Sequence, residues 1–336
     1  MITVLCGAYR NAGDHLIGDR ARKLLRAFVD PDIVTVDRKA ITEEHYAVFN
    51  RSRAVLLCGG PAYQKGIYPE IYPLDRSRIS VPVIPFGLGW KGSTKDAPEQ
   101  FRFTPEAADF IKTIHGNIEL SSARDPLTTK VLENLGVENA LMTGCPAWYD
   151  LNRLETRYVF TPDVGTLVFS MPAKVQRELL DLMKWISRRF PKARKIAAFH
   201  HGLIPAHTRK GWRLAADFIP AHMTALRLGW QIRGLNGSLD KLEDTYGVAD
   251  LHIGYRVHAH LFCLSQRKAS VLINEDSRGV GQAQALGSTS LLAGRGIEGI
   301  AEAIERHFDD RGSSVQRSVE TMRETFPVMR RFLASV

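Results

Sequence analysis

The sequence predicts an α/β protein of two Rossmann-like, parallel-sheet domains facing across a cleft, with a C-terminal helix that crosses back onto the first domain. Three observations predict it. Short β-like runs alternate with amphipathic helical stretches along most of the chain, and repeated β-α-β units make parallel sheets covered on both faces. The alternation lapses at Leu151–Asp163, which lacks a clear period and contains Thr161-Pro162, and a second cycle then begins. At 336 residues the chain is long enough for two cores.

In the first cycle Ile2–Gly7, Ile33–Val36, Ala54–Cys58, Val81–Phe86, Ile118–Ser121 and Ala140–Thr143 read as strands. Helical spacing of apolar residues is clearest over Asp14–Phe28, Pro105–Ile114 and Pro126–Leu135, the last stopped by Gly136. In the second cycle the strands are Leu167–Ser170, Lys195–Phe199, Trp230–Leu235, Ala249–Gly254, Ser270–Ile273 and Thr289–Leu292. Helical patterns at 174–189, 212–228, 239–246, 257–266 and 297–308 separate most of them, and Ser314–Leu333 reads as a long closing helix. The expected division is 1–155, 165–312 and 313–336.

Composition narrows the function classes. No segment approaches the roughly 18 apolar residues that span a bilayer, and the opening Met1-Ile-Thr-Val-Leu-Cys-Gly7 runs into a strand without the basic leader of a signal peptide. Cys6, Cys58, Cys145 and Cys263 lie far apart with no paired spacing, which suits reduced thiols and a cytoplasmic protein. The formal charge of +9 favours anionic partners: phosphorylated metabolites, lipid phosphates or nucleic acid. The basic tract 184–195 reads as a solvated helix end rather than a specific nucleic-acid site, because no interleaving of aromatic and basic residues recurs elsewhere.

The motifs fall at expected strand carboxyl ends, where ligands bind in open α/β sheets. Asp250-Leu-His-Ile-Gly-Tyr-Arg-Val-His258 runs out through Gly254 and puts Arg256 and His258 at a helix mouth. Arginine grips phosphate or carboxylate through a fixed fork of donors, and histidine trades a proton near neutral pH. The first strand ends in a loop containing Asn11, Gly13 and Asp14; Gly13 admits close backbone approach, and Asp14 is either a helix N-cap or a base for an incoming hydroxyl. Gly59 and Gly60 follow the third strand. Gly87-Leu-Gly89-Trp-Lys-Gly92 follows the fourth and matches GxGxxG only weakly, since no convincing helix start follows.

Ser121-Ser122-Ala-Arg124-Asp125-Pro126 offers Arg124 as a second anion contact, with Asp125 orienting it or capping the next helix. Asn274-Glu-Asp-Ser-Arg278 repeats the pattern of an apolar strand followed by acids and an arginine. His200, His201 and His207, with His258 and His260, invite a metal reading, but no HExxH or paired-Cys signature supports one, and a polar loop lining the cleft is the better expectation. No Walker-type phosphate loop is present.

Taken together, Asn11-Ala-Gly-Asp14, Gly59-Gly60, Ser122-Ala-Arg-Asp-Pro126, Thr143-Gly-Cys-Pro-Ala147 and the 250–258 segment resemble the polysaccharide pyruvyl transferase family. The resemblance covers nearly the whole chain in order. It implies a GT-B-like fold and transfer of a pyruvyl group from phosphoenolpyruvate, a co-substrate rather than a cofactor, to hydroxyls of a saccharide or lipid-linked saccharide. Arg256 and His258 would then serve the donor site, with Arg124 and Arg278 as further donor cations and Asp14 as the acceptor's base. No step demands a metal. Lipid-linked acceptors would bring the protein to the inner face of the membrane. The chain departs from the family pattern at His15, Pro61, Ala62 and Cys145, which bears on the acceptor rather than on the fold. The alternatives are a nucleotide-sugar-dependent glycosyltransferase of the same architecture, disfavoured by the lack of a Glu-x7-Glu spacing in the second half, and a non-catalytic carbohydrate- or nucleic-acid-binding relative.

Overall fold

Residues 1–7, 11–60, 62–93, 96–203, 211–294 and 296–336 are described by a computed structural model. The first half opens with β1 (Ile2–Cys6), α1 (Ala12–Phe28), β2 (Ile33–Asp37), α2 (Glu43–Arg51), β3 (Val55–Cys58) and β4 (Val83–Phe86). The four strands pair in parallel in the order β2-β1-β3-β4. Next come α3 (Pro105–Gly116), β5 (Ser121–Ala123), α4 (Pro126–Glu133) and β6 (Ala140–Met142). β5 and β6 pair only with each other, but a parallel bridge from Leu88 to Ala123 joins them to the chain leaving β4.

The second half contains β7 (Thr166–Ser170), α5 (Leu179–Arg189), β8 (Arg194–Phe199), α6 (Gly211–Asp217), α7 (Ile219–Arg227), β9 (Gln231–Gly234), α8 (Leu239–Tyr246) and β10 (Leu251–Gly254). It continues with α9 (Val257–Ser265), β11 (Ala269–Asn274), α10 (Ser277–Leu286), β12 (Ser290–Leu292), α11 (Gly296–Asp309) and α12 (Ser313–Ala334). Its strands form one parallel six-stranded sheet, β12-β11-β10-β7-β8-β9. Each strand in the centre of this sheet is buried on both faces, which is why β8, β10 and β11 read as largely apolar runs instead of alternating ones.

Several sequence expectations shift. The fifth strand begins at Ser121, not at Ile118, because Asn139 holds the Ile118 carbonyl in a turn that delays pairing. The 212–228 pattern divides into α6 and α7, with Pro220 in the first turn of the second helix, where its missing N–H costs nothing. The 174–189 helix starts only at Leu179. Two helices were not expected: α2, which buries only Phe49 and so shows little periodicity, and α10, whose Gly279 and Gly281 obscure its helical pattern.

A single apolar core runs between the two sheets beneath α1, α9 and α12, taking in Leu16, Trp148, Ala259, Phe262 and Phe332. Phe332 of α12 packs on Phe86 of β4 with ring centroids 5.3 Å apart, and Phe326 meets Phe28 of α1 at 5.8 Å. The last helix thus lies on the first sheet's layer. Arg20 of α1 forms a buried ion pair with Asp150 at 2.8 Å, and Gln266 at the end of α9 donates to the same carboxylate. These contacts fix the two sets of strand carboxyl ends toward each other. Among the described residues no helix is long and apolar enough to cross a membrane.

Candidate active site

β10 leaves its sheet through Gly254, whose φ of 147° is closed to other residues in practice, and a side chain there would strike Ser170. Ser170 sits at the end of the neighbouring strand. Its Oγ accepts from the Arg256 backbone N–H at 3.1 Å and bonds His252 at 2.8 Å, so the turn is locked from below. Arg256 is the N-cap residue of α9. Its Nε donates to the Met171 carbonyl at 2.9 Å and its Nη2 to the Pro172 carbonyl at 3.1 Å. Carbonyls therefore aim this guanidinium without neutralising it. Glu275 lies within Coulombic reach, but its carboxylate is taken by the Ala173 N–H at 3.0 Å.

Two residues on, His258 is buried in the first turn of α9. The first sheet comes to meet it. Asn11 caps α1, accepting from the Gly13 N–H at 3.2 Å, so the N-cap is Asn11, and Asp14 stands in the first turn within Coulombic reach of Arg38, Arg278 and Arg124. Gly13 packs on the His258 imidazole so closely that a Cβ would overlap the ring. Only glycine allows that approach of a helix N-terminus to the ring.

Arg124 and Asp125 follow β5. Both are fully buried, and Asp125 does both jobs the sequence left open: it accepts from the Arg124 Nε at 3.2 Å and caps α4 by accepting from the Thr128 N–H at 2.9 Å. Arg124 also donates to the Trp90 carbonyl at 3.2 Å and lies over Gly89, where a Cβ would run into the guanidinium. α10 closes the third side. Asp276 caps it and holds Arg278 through its Nε at 2.9 Å and its Nη2 at 2.6 Å. This helix is fastened to the first half by Gln282, which donates to the Arg124 carbonyl at 2.8 Å and accepts from the Trp148 indole at 2.6 Å.

Three guanidiniums from two sheets therefore converge on one imidazole. Burial, then the charges of Arg124 and Arg278, push the His258 pKa down to about 3, so it is neutral at pH 7 in the unliganded site. Asp14 moves the opposite way: burial raises its carboxyl above the usual range, against the pull of Arg38 and Arg278. The cleft lined by Asn11, Arg256, His258, Asn274 and Arg278 holds about 420 Å³ of empty space, counting the part open to solvent. In its wall the Tyr255 hydroxyl and Asn274 Oδ1 are buried without a hydrogen-bond partner among the described residues, the latter against Gly279.

The sequence model of the polysaccharide pyruvyl transferases matches residues 11–277, from the cap of α1 to the first residue of α10, and so spans the loops just described. The chain belongs to the polysaccharide pyruvyl transferase family. It is an enzyme of that type. No curated relative matches this transferase by sequence. Solved structures resemble it in fold alone. They include the UDP-GlcNAc 2-epimerase of Methanocaldococcus jannaschii, 12% identical with a TM-score of 0.56 over 96% of this chain and 99% of that one. The UDP-GlcNAc 2-epimerase of Neisseria meningitidis is 10% identical with a TM-score of 0.56, covering 99% of each chain. The S. aureus MnaA–UDP structure is 10% identical at 0.54, over 100% of this chain and 97% of that one. The pyruvyl transferase shares with them a GT-B-like α/β architecture.

Other sequence candidates take supporting places in the transferase. His200 is buried and hydrogen-bonded to the Tyr246 hydroxyl at 2.7 Å, touching both this cleft and a neighbouring, more apolar one. His201 is exposed and lines only the second. Ser122 accepts from the Gly87 N–H at 2.9 Å and bonds Thr143, so it shapes the turn below the cleft and does not face it. Gly59, at φ 60°, packs against Ile17 beneath the α1 loop, and Gly254 is a hinge of the Arg256 turn; neither presents an open face to the ligand space. Gly60 lies beside Arg38. His207 and Pro61 lie outside the described residues. Sequence reasoning missed Gln282, Tyr255 and Arg38, because no motif's spacing marks any of them.

His252 and His260 are held by protein groups. His252 lies between Ser170 and Ser270, and His260 between Ser270 and Ser288, with bonds of 2.6–3.0 Å. Among the described residues, no three His, Cys, Asp or Glu side chains are grouped to hold a metal ion. Burial lowers His115 to about 4 and His258 and His260 to about 3. Their sign is fixed: the unfolded chain takes up a proton on each below pH 6.5, while the folded state stays neutral until its lowered pKa. Stability is therefore lost as pH falls. Unfolding free energy should drop by about 4 kcal/mol between pH 7.5 and 5.5 from these three, at about 1.4 kcal/mol each. Denaturant titrations at the two pH values check this, and equal midpoints would show that the three rings are not held neutral.

Proposed function

We propose that this pyruvyl transferase takes phosphoenolpyruvate as donor in the Arg124–Arg256–Arg278 cleft and forms a pyruvyl ketal on hydroxyls of a saccharide or lipid-linked saccharide. The observation that carries the reading is the convergence of three permanently charged guanidiniums on a buried, neutral His258. Phosphoenolpyruvate carries a phosphate ester and a carboxylate on the same carbon, and fixed planar cations suit that pair better than titrating ones. Arg256 is the natural phosphate anchor, since it is aimed by carbonyls, while Arg124 and Arg278 already face Asp125 and Asp276.

The reaction adds a proton to the methylene carbon, bonds one acceptor oxygen to the adjacent carbon and breaks that carbon's bond to the phosphate oxygen. A second acceptor hydroxyl closes the ketal. The two hydroxyl protons balance the methyl proton and the proton carried off by phosphate. A trianionic donor entering among the arginines offsets their charges, which lower the His258 pKa less than burial does, and sets negative charge beside the ring, so its pKa rises and the ring becomes a proton donor as the donor binds. Asp14, at the first sheet's side, is the base for the acceptor hydroxyl; its raised pKa makes it a better proton acceptor than an exposed carboxylate. No step calls for a metal or cofactor. On this reading the protein works in the cytoplasm, at the inner face of the membrane when the acceptor is lipid-linked, and the charge of +9 suits such anionic partners.

A nucleotide-sugar donor is the competing reading, because solved structures of this fold carry UDP or UDP-GlcNAc. Thermal unfolding with millimolar phosphoenolpyruvate, UDP-GlcNAc and GDP-mannose separates the two. The proposal expects a rise in melting temperature with phosphoenolpyruvate; a rise with a nucleotide sugar and none with phosphoenolpyruvate reverses it.

A further inference from the structure

Arg38 lies outside the donor cleft, immediately after β2, and is 8% exposed. Its Nε and Nη1 are buried, and among the described residues neither has a hydrogen-bond partner. Such a group is costly. Burying a guanidinium without acceptors is unfavourable, and one aromatic face offsets only part of it. That face is Tyr72, with the guanidinium carbon 5.3 Å from its ring centroid. The Tyr72 hydroxyl is itself fully buried and faces the Arg38 side chain, whose charge and loose hydrogen bond offset part of the rise that burial gives its pKa.

Among the described residues no carboxylate forms an ion pair with Arg38. The neighbouring Asp37 carboxylate is turned away into its own loop, accepting from the Lys39 N–H at 2.9 Å. Asp14 lies within Coulombic reach of Arg38, yet no ion pair joins them. Around the guanidinium stand glycines at the ends of the two adjacent strands. A Cβ on Gly7 would touch it at 3.4 Å and one on Gly60 would come within 4.0 Å of Nη1. Neither position puts a side chain over the charge. The guanidinium lies at the carboxyl ends of β1, β2 and β3, where ligands bind in such sheets, and within Coulombic reach of Asp14.

We propose that Arg38, with the Tyr72 hydroxyl beside it, is a second anion subsite that holds a carboxylate or phosphate oxygen of the acceptor. The inference rests on the reading of the first sheet as the acceptor side, and it names what that reading leaves open: the acceptor is anionic near its reacting hydroxyls. A saccharide enters over Asp14 with its acidic substituent on Arg38, so the guanidinium selects against neutral sugars and sets which hydroxyls meet the donor carbon. The two glycines put no side chain beside the guanidinium, and its unpartnered Nε and Nη1 supply the attraction.

The test uses the full chain and three probes: glucuronate for a sugar carboxylate, glucose 1-phosphate for a sugar phosphate, and methyl glucoside as the neutral control. Calorimetric affinities are measured for wild type, Arg38→Lys and Arg38→Met, alongside phosphoenolpyruvate. At least one anionic probe should bind wild type ten or more times tighter than methyl glucoside, and whichever it is identifies carboxylate or phosphate. Arg38→Met should erase that preference and Arg38→Lys should keep part of it, with phosphoenolpyruvate affinity changed less than threefold in both. Arg38→Met should also melt above wild type, because it removes an uncompensated buried charge. A variant that melts lower or fails to fold shows that Arg38 is structural and overturns the proposal, as does equal binding of charged and neutral probes. Loss of phosphoenolpyruvate affinity in Arg38→Met overturns it too, by moving Arg38 to the donor. If wild type ignores phosphoenolpyruvate but still prefers an anionic probe through Arg38, the donor assignment fails and the subsite stands.

Discussion

Replacing Arg256 with alanine is expected to lower kcat/KM by about a hundredfold to a thousandfold and to remove the stabilisation that phosphoenolpyruvate confers. The size follows from how the residue is held. Its fork is bonded to the Met171 and Pro172 carbonyls, so it meets the ligand without first reorganising. Its charge is not spent on a carboxylate, in contrast to Arg278 on Asp276 and Arg124 on Asp125. Alanine also strips Glu275 of its nearest positive field and leaves two carbonyls short of donors, so some loss of unfolding free energy accompanies the loss of binding. Arg256→Lys separates the effects. Lysine restores charge but not the fork, and should recover folding stability while KM for phosphoenolpyruvate stays raised at least tenfold. Steady-state kinetics with melting curves on both variants are the check; an Arg256→Ala enzyme with wild-type KM would place the phosphate elsewhere.

His258→Gln should behave differently. Turnover is expected to fall by about a thousandfold, while phosphoenolpyruvate binding stays within a few-fold of wild type, because the imidazole is neutral before the donor arrives and contributes little to holding it. Gly13→Ala reaches the same ring from the opposite sheet. Its methyl would occupy the space of the imidazole, so it should also depress turnover more than affinity. If His258→Gln instead loses phosphoenolpyruvate binding and keeps its turnover at saturation, the ring is a binding group and the proton comes from elsewhere.

The parts of this site that the sequence reveals are those attached to regular pattern. Strands β1 and β10 are bounded by glycines and helix caps, so the order of residues alone places their ends, and with them Asp14, Arg256 and His258. What the pattern cannot carry is which oxygen a given side chain reaches. Asp14 and Asn11 both suit an N-cap, and only the chain path assigns the cap to Asn11. Arg278 reads as free until Asp276 is seen to hold it. α10 is hidden because the glycines that let it press on Asp125 and Asn274 also lower its helical signal. Arg38 escapes for a related reason: one arginine after a strand is ordinary in sequence, and only its missing partners mark it.

Calorimetric titration of phosphoenolpyruvate at pH 7.5, repeated in two buffers of different ionisation enthalpy, tests the donor assignment most directly. At that pH the donor is already fully ionised, so protons taken up on binding belong to the protein. The account predicts one-to-one binding with net proton uptake, loss of that uptake in His258→Gln, and no binding to Arg256→Ala. A flat titration at millimolar phosphoenolpyruvate, or binding whose proton count is the same with and without His258, would contradict it.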